Sequence, residues 1–90
     1  MLVLSREAGE SVVIEDVVLT LVGISEEYVE ASLVKLTGGR VTIATLPRNE
    51  YVEICYDVRV IYFNLKEGRV RLGFEAERGA RIARREFLAE

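Results

Sequence analysis

Ninety residues, half of them hydrophobic, make one small domain of a size at which an isolated core is often marginal and an oligomer is a reasonable expectation. The net charge of −3 argues against indiscriminate nucleic-acid binding, and no apolar run approaches the roughly 18 residues that a membrane span needs. One cysteine, Cys55, excludes an internal disulfide, and a start without the basic and apolar regions of a signal peptide leads to the expectation of a cytoplasmic location.

Val, Ile, Leu and Tyr dominate, with seven Gly and one Pro, which favours β structure. Leu2, Val3 and Leu4 begin a strand, Ala8-Gly9-Glu10 turns it, and Ser11 to Ile14 form a second. Val17 to Ile24 and Tyr28 to Leu36 read as a hairpin across Ser25-Glu26-Glu27. Thr37-Gly38-Gly39 turns the chain into a strand over Arg40 to Leu46, which Pro47-Arg48-Asn49 ends. Tyr51 to Cys55 follows. Asp57 to Leu65 and Arg69 to Glu75 form another hairpin across Lys66-Glu67-Gly68. Gly79 allows a turn, and Ala80 to Ala83 make the last strand. The helix formers of Arg85-Glu86-Phe87-Leu88 predict a short terminal helix.

Charge is unevenly spread. Residues 1–68 hold six basic and eleven acidic residues, hence −5, whereas residues 69–90 hold six and four, hence +2. The six arginines of the second segment are Arg69, Arg71, Arg78, Arg81, Arg84 and Arg85. Two readings follow: a local anion-binding patch on an acidic body, or a solvated arginine-rich edge strand.

There is an internal echo. A single uniform shift superimposes Asp16 to Thr42 on Asp57 to Ala83 without a gap. It matches Asp16 with Asp57, Val17 with Val58, Glu26 with Glu67, Val29 with Val70, Gly38 with Gly79 and Arg40 with Arg81. Hairpin turn, Gly turn and following strand agree, which suggests a duplication.

Enzymatic chemistry is not expected. The chain has no His to act as a general base or metal ligand, and one Cys cannot build a thiolate cage. Neither Gly-rich nucleotide signature occurs. Thr37-Gly38-Gly39-Arg40 is too short for a phosphate loop, and Ser5 and Ser11 have no base partner in sight. No cofactor and no metal site are expected.

Four local features do carry a resemblance. They are Met1-Leu2-Val3-Leu4-Ser5-Arg6, the pair Gly9-Glu10, Val70-Arg71-Leu72-Gly73-Phe74-Glu75-Ala76, and Arg84 followed closely by Glu86. In this order and at the two chain ends, the sequence resembles the carbon storage regulator family (CsrA/RsmA). Those are small bacterial RNA-binding translational regulators and repressors. The resemblance covers the stretch from Met1 to about Ile24 and that from about Val58 to Glu90, and the middle is longer than that family needs.

The resemblance implies a mainly β fold: a small antiparallel β-sandwich or barrel of short strands ending in a helix. Family members are interlocked homodimers of five-stranded protomers. Two accounts of the longer middle stand open. Residues 1–90 form a single domain of two fused copies, 1–44 and 45–90, giving a monomeric pseudo-dimer. Alternatively, one protomer carries an inserted hairpin pair and dimerises. The fused account is favoured.

The resemblance also implies a site. In the family, the first strand of one protomer lies beside the last strand of the other, and together they bind GGA-containing loops in messenger leaders or small regulatory RNAs. Leu4 and Arg6 match the first-strand contacts. Ala80, Ile82 and Arg84 match the last strand, with Arg84 at the arginine on which binding depends most. Arg78, Arg81 and Arg85 add positive charge. Glu7 stands where a basic residue is usual, Glu77 where a proline is, and Ala83 where His is frequent. A different class of function is a protein-interaction module that kept the fold and lost RNA binding, docking a flagellar-assembly antagonist protein. By the same uniform shift, Leu4, Arg6 and Arg84 correspond to Thr45, Pro47 and Ile43, so a second RNA site is not expected.

Overall fold

The described residues of the computed structural model are 1–84, with the side chain of Arg84 and residues 85–90 outside them. Arg85 and the expected terminal helix therefore lie outside the described residues. Nine strands run in order: β1 (Leu2–Arg6), β2 (Ser11–Ile14), β3 (Val17–Ile24), β4 (Tyr28–Lys35), β5 (Thr42–Pro47), β6 (Tyr51–Cys55), β7 (Val58–Lys66), β8 (Arg69–Ala76) and β9 (Ile82–Arg84). They form two antiparallel sheets in a sandwich, one ordered β1-β8-β7-β6 and the other β5-β4-β3-β2-β9. Among the described residues there is no helix.

The core follows from alternation. Val58, Val60 and Tyr62 on β7, and Val70, Leu72 and Phe74 on β8, turn to the inner face of one sheet, because side chains two apart share a side. Leu19, Leu21, Val29 and Ala31 do the same from the other. Each large side chain so buried contributes about 1.5–3 kcal/mol. Tyr62 is fully buried, and its hydroxyl reaches across to donate to the Ser25 carbonyl at 2.8 Å.

Some strand limits differ from expectation for local reasons. The fifth strand begins at Thr42, since Gly38 and Gly39 hold φ of 90° and 114° and delay the return. It runs on through Pro47, which an edge strand tolerates because no ladder amide is needed there. The last strand begins at Ile82, where pairing with Ile14 starts, and extends to Arg84 opposite Val12.

The pairing repeats itself. In β3–β4, Val17 pairs with Lys35 and Ile24 with Val29; in β7–β8, Val58 pairs with Ala76 and Leu65 with Val70, at the positions that the sequence echo makes equivalent. Each hairpin slips register at the same place, between Leu21 and Gly23 and between Tyr62 and Asn64. Gly38 and Gly79 both adopt positive φ, and their amides donate to the carbonyls of Lys35 and Ala76.

Upstream of β6 the correspondence slips by a single position. Leu2 pairs with Phe74 and Arg6 with Val70, while Thr42 pairs with Leu33 and Leu46 with Val29. The extra residue is the irregularity between Glu53 and Cys55. The counterpart of Leu4 is thus Ala44 and that of Arg6 is Leu46, not the Thr45 and Pro47 that a uniform shift assigns. A bulge is invisible to gapless superposition, since it lengthens one strand without changing its neighbours.

The repeat fails at one place. β9 pairs along β2, but the segment that corresponds to β9, residues 41–43, enters β5, where Thr42 and Ile43 pair with Leu33 and Ser32. Among the described residues, β6 has no strand on its outer side.

Candidate nucleic-acid interface

β1 ends one sheet and β9 ends the other, so each leaves one row of backbone groups without a ladder partner among the described residues. The two edges belong to one place. A shallow groove of about 450 Å³ has Met1 and Leu2 on the β1 side and Ala80 and Ile82 on the β9 side, closed by residues 74–77. At the other end of β1, the Arg6 guanidinium donates to the Ser11 carbonyl at 3.4 Å, and the next residue, Val12, sits opposite Arg84. Strands from the two chain termini therefore border one groove at the Met1–Leu2 end of β1, and at its other end β1 contacts β2, the strand that β9 pairs with.

Not every expected contact residue points into that groove. Leu4 is 9% exposed and belongs to the core. Arg6 is 3% exposed; Nε donates to the Ser5 carbonyl at 2.8 Å and lies 3.8 Å from the Glu10 carboxylate. Its companion is Glu10 rather than the adjacent Glu7, whose amide donates to the same Glu10 carboxylate at 2.7 Å. Alternation accounts for this. Leu2, Leu4 and Arg6 share one face of β1, and a face that carries Leu4 inward carries Arg6 inward too. A buried guanidinium persists because carbonyl oxygens and a carboxylate replace its water.

The turn between β8 and β9 carries two exposed arginines, and β8 carries two more, Arg69 and Arg71. Arg78 and Arg81 are 83% and 91% exposed at their side chains. Arg78 Nε lies 2.9 Å from Asp57, and Arg81 Nε lies 3.9 Å from Glu15, whose amide donates to the Arg81 carbonyl at 2.8 Å. Exposed pairs of this kind are worth about 0–1 kcal/mol, so another anion can exchange for the carboxylates at little cost. Ala80 and Ile82 are half-buried, and Ile82 packs on the core. Arg84 places its backbone beside Val12.

These pairs border a second groove of about 590 Å³, lined by Glu15, Asp16, Tyr56, Asp57, Arg78 and Arg81 together with Ala80. The Tyr56 hydroxyl donates to the Asp16 carboxylate. That bond, then burial, then the nearby negative charge raise the Tyr56 phenol above its ordinary 10.0. Glu15 and Asp57 were not among the residues singled out from the sequence. Their role as arginine partners needs the turns at Glu15 and at Asp57, remote from each other along the chain, to meet, which no local pattern announces. Among the described residues, no cluster of His, Cys, Asp and Glu suits a metal ion. Compared with known proteins, the chain matches no family model, no curated protein and no solved structure.

Proposed function

We propose that the protein is a post-transcriptional regulator of the carbon storage regulator kind, binding GGA-containing single-stranded RNA along the seam of β1 and β9. The observation that carries this reading is that two strand edges, one from each end of the chain, border one groove, with Arg78 and Arg81 on the turn that leads into β9. Single-stranded bases are read by hydrogen bonds on their edges, and an open strand edge supplies amides and carbonyls at regular spacing. In this reading β1 contributes its backbone, because Leu4 and Arg6 turn inward and hold the strand in place. Arg78 and Arg81 meet phosphates. Arg84 supplies a planar head able to stack on a base and pair with phosphate, a combination that Lys lacks. The repeated pairing of the two halves supports a fused pseudo-dimer as the frame.

A titration with a GGA-loop RNA and a scrambled loop, at fixed salt, tests the proposal. Preference for the GGA loop is expected, and Arg84→Ala should weaken it by about 2–3 kcal/mol. Equal affinity for both loops, or full affinity in the variant, would overturn it. One observation favours a second reading. Arg78 and Arg81 already face Asp57 and Glu15, which suits a protein-interaction module that has lost RNA. Absence of RNA binding with retained binding of a flagellar-assembly antagonist would support that reading.

A further inference from the structure

β2 and β6 are counterparts in the repeat, and they differ in one respect: β9 covers the outer edge of β2. All four residues of β2 are buried, whereas β6 alternates between exposed and half-buried. Val12 is 0% and Val13 3% exposed; their counterparts are the half-buried Val52 and the exposed Glu53. Beside β6 lies an apolar groove of about 250 Å³ lined by Val17, Leu33, Ile54 and Cys55, with Lys35 and Arg40 at its rim. The molecule thus shows, on β2, the strand that fits such an edge, and on β6, the same edge without one among the described residues.

We propose that β6 is a docking site for an extended segment of another protein, which adds an antiparallel strand there as β9 does on β2. The inference is independent of the RNA reading. The template sets the register. The residue equivalent to Ile82 stands opposite Cys55 and enters the apolar groove. The residue equivalent to Ala83 stands opposite Glu53, and the residue equivalent to Arg84 opposite Val52. The charges set the chemistry. A basic side chain suits the position across from Glu53, because directly opposed residues interact and Arg59, across on β7, is bonded to Glu75 at 2.8 Å. Lys35 and Arg40 line the groove that the apolar residue enters, whereas the residue before it projects from the opposite face of the added strand. The partner segment therefore reads apolar then basic in consecutive order. A second copy of the chain is disfavoured as occupant, since β6 against β6 brings Glu53 toward its own like charge.

Two synthetic peptides of identical composition, GAEIRVR and GARIEVR, test the proposal against the full chain. Amide hydrogen exchange and chemical-shift mapping follow the complex. GAEIRVR is expected to slow exchange within Tyr51–Cys55 and to bind several-fold tighter than GARIEVR, because it sets a basic side chain opposite Glu53 where GARIEVR sets an acidic one. Glu53→Arg, at an exposed position, should reverse the preference. Four results would overturn the proposal: equal affinities, perturbation confined to β2 and β9, slow exchange of the β6 amides in the chain alone, or a dimer joined through β6.

Discussion

Arg6 shows how a single side chain can be recast by its neighbours. Its counterpart, Leu46, occupies the same place against Val29 that Arg6 holds against Val70, and Leu46 is fully buried. An aliphatic side chain is therefore compatible with that site. Arg6→Leu should cost at most about 1.5 kcal/mol, since well-packed apolar replacements of buried ions are often near neutral. Arg6→Ala leaves a cavity as well as unbonded carbonyls and should cost about 3 kcal/mol. Denaturant unfolding of both variants checks the order, and a larger loss for Leu would mean that the guanidinium bonds dominate. A second expectation concerns pH. Burial, with the Asp16 charge adding to it, pushes the Cys55 thiol above its ordinary 9.0. Burial likewise raises the Tyr62 phenol above 10.0, opposed by Arg48 and aided by Glu26. A folded-state value above the unfolded one means that deprotonation favours the unfolded chain. That stability is complete below 9.0 and is lost as pH rises through the two groups' folded values. The unfolding midpoint measured from pH 7 upward should stay level at first and then fall. Cys55→Ala and Tyr62→Phe should each flatten part of the decline.

At the scale of strands, β1 depends on the absence of a side chain at one position. Gly73 pairs with Val3 and Ile61, and a Cβ there would come within 2.7 Å of Met1 Sδ and of the Phe63 ring and 3.0 Å of Ile61. Methionine can move, but the ring and the branched side chain both flank the same strand. Gly73→Ala should therefore destabilise the protein by about 1–3 kcal/mol. If β1 forms half of an RNA seam, the same change should also weaken GGA-loop binding. Thermal unfolding and the RNA titration read the two effects separately. Unchanged stability would mean that Met1 and Phe63 yield without cost. The opposite edge, β9, spans Ile82–Arg84 among the described residues and rests on Val12, Val13 and Ile14.

For the whole molecule, the repeat bears on stoichiometry. A symmetric homodimer would present two equal seams. Here the two halves lie in one chain, and the second seam lacks its counterparts: Leu46 stands for Arg6, and residues 41–43 have entered β5 instead of covering β6. The expected species is a monomer of 10.1 kDa that binds one GGA loop. Sedimentation with labelled RNA checks this, and a dimer of twice that mass with two RNAs would favour the inserted-hairpin account.

The sequence by itself determined the strand content, most strand limits and the internal echo, because alternation and turn residues are local properties of the chain. The same alternation, followed along β1, already places Arg6 beside Leu4 on an inward face. Only the tertiary structure decided the rest. The bulge at Ile54 displaces the upstream equivalence by a single position, and a single position is enough to exchange the two faces of a strand. The pairing of Arg81 with Glu15 and of Arg78 with Asp57 depends on turns that meet only when the two sheets close. Among the described residues, the edge of β6 stays open because residues 41–43 can serve one sheet or the other but not both, and the pairing of Thr42 and Ile43 with β4 settles the choice.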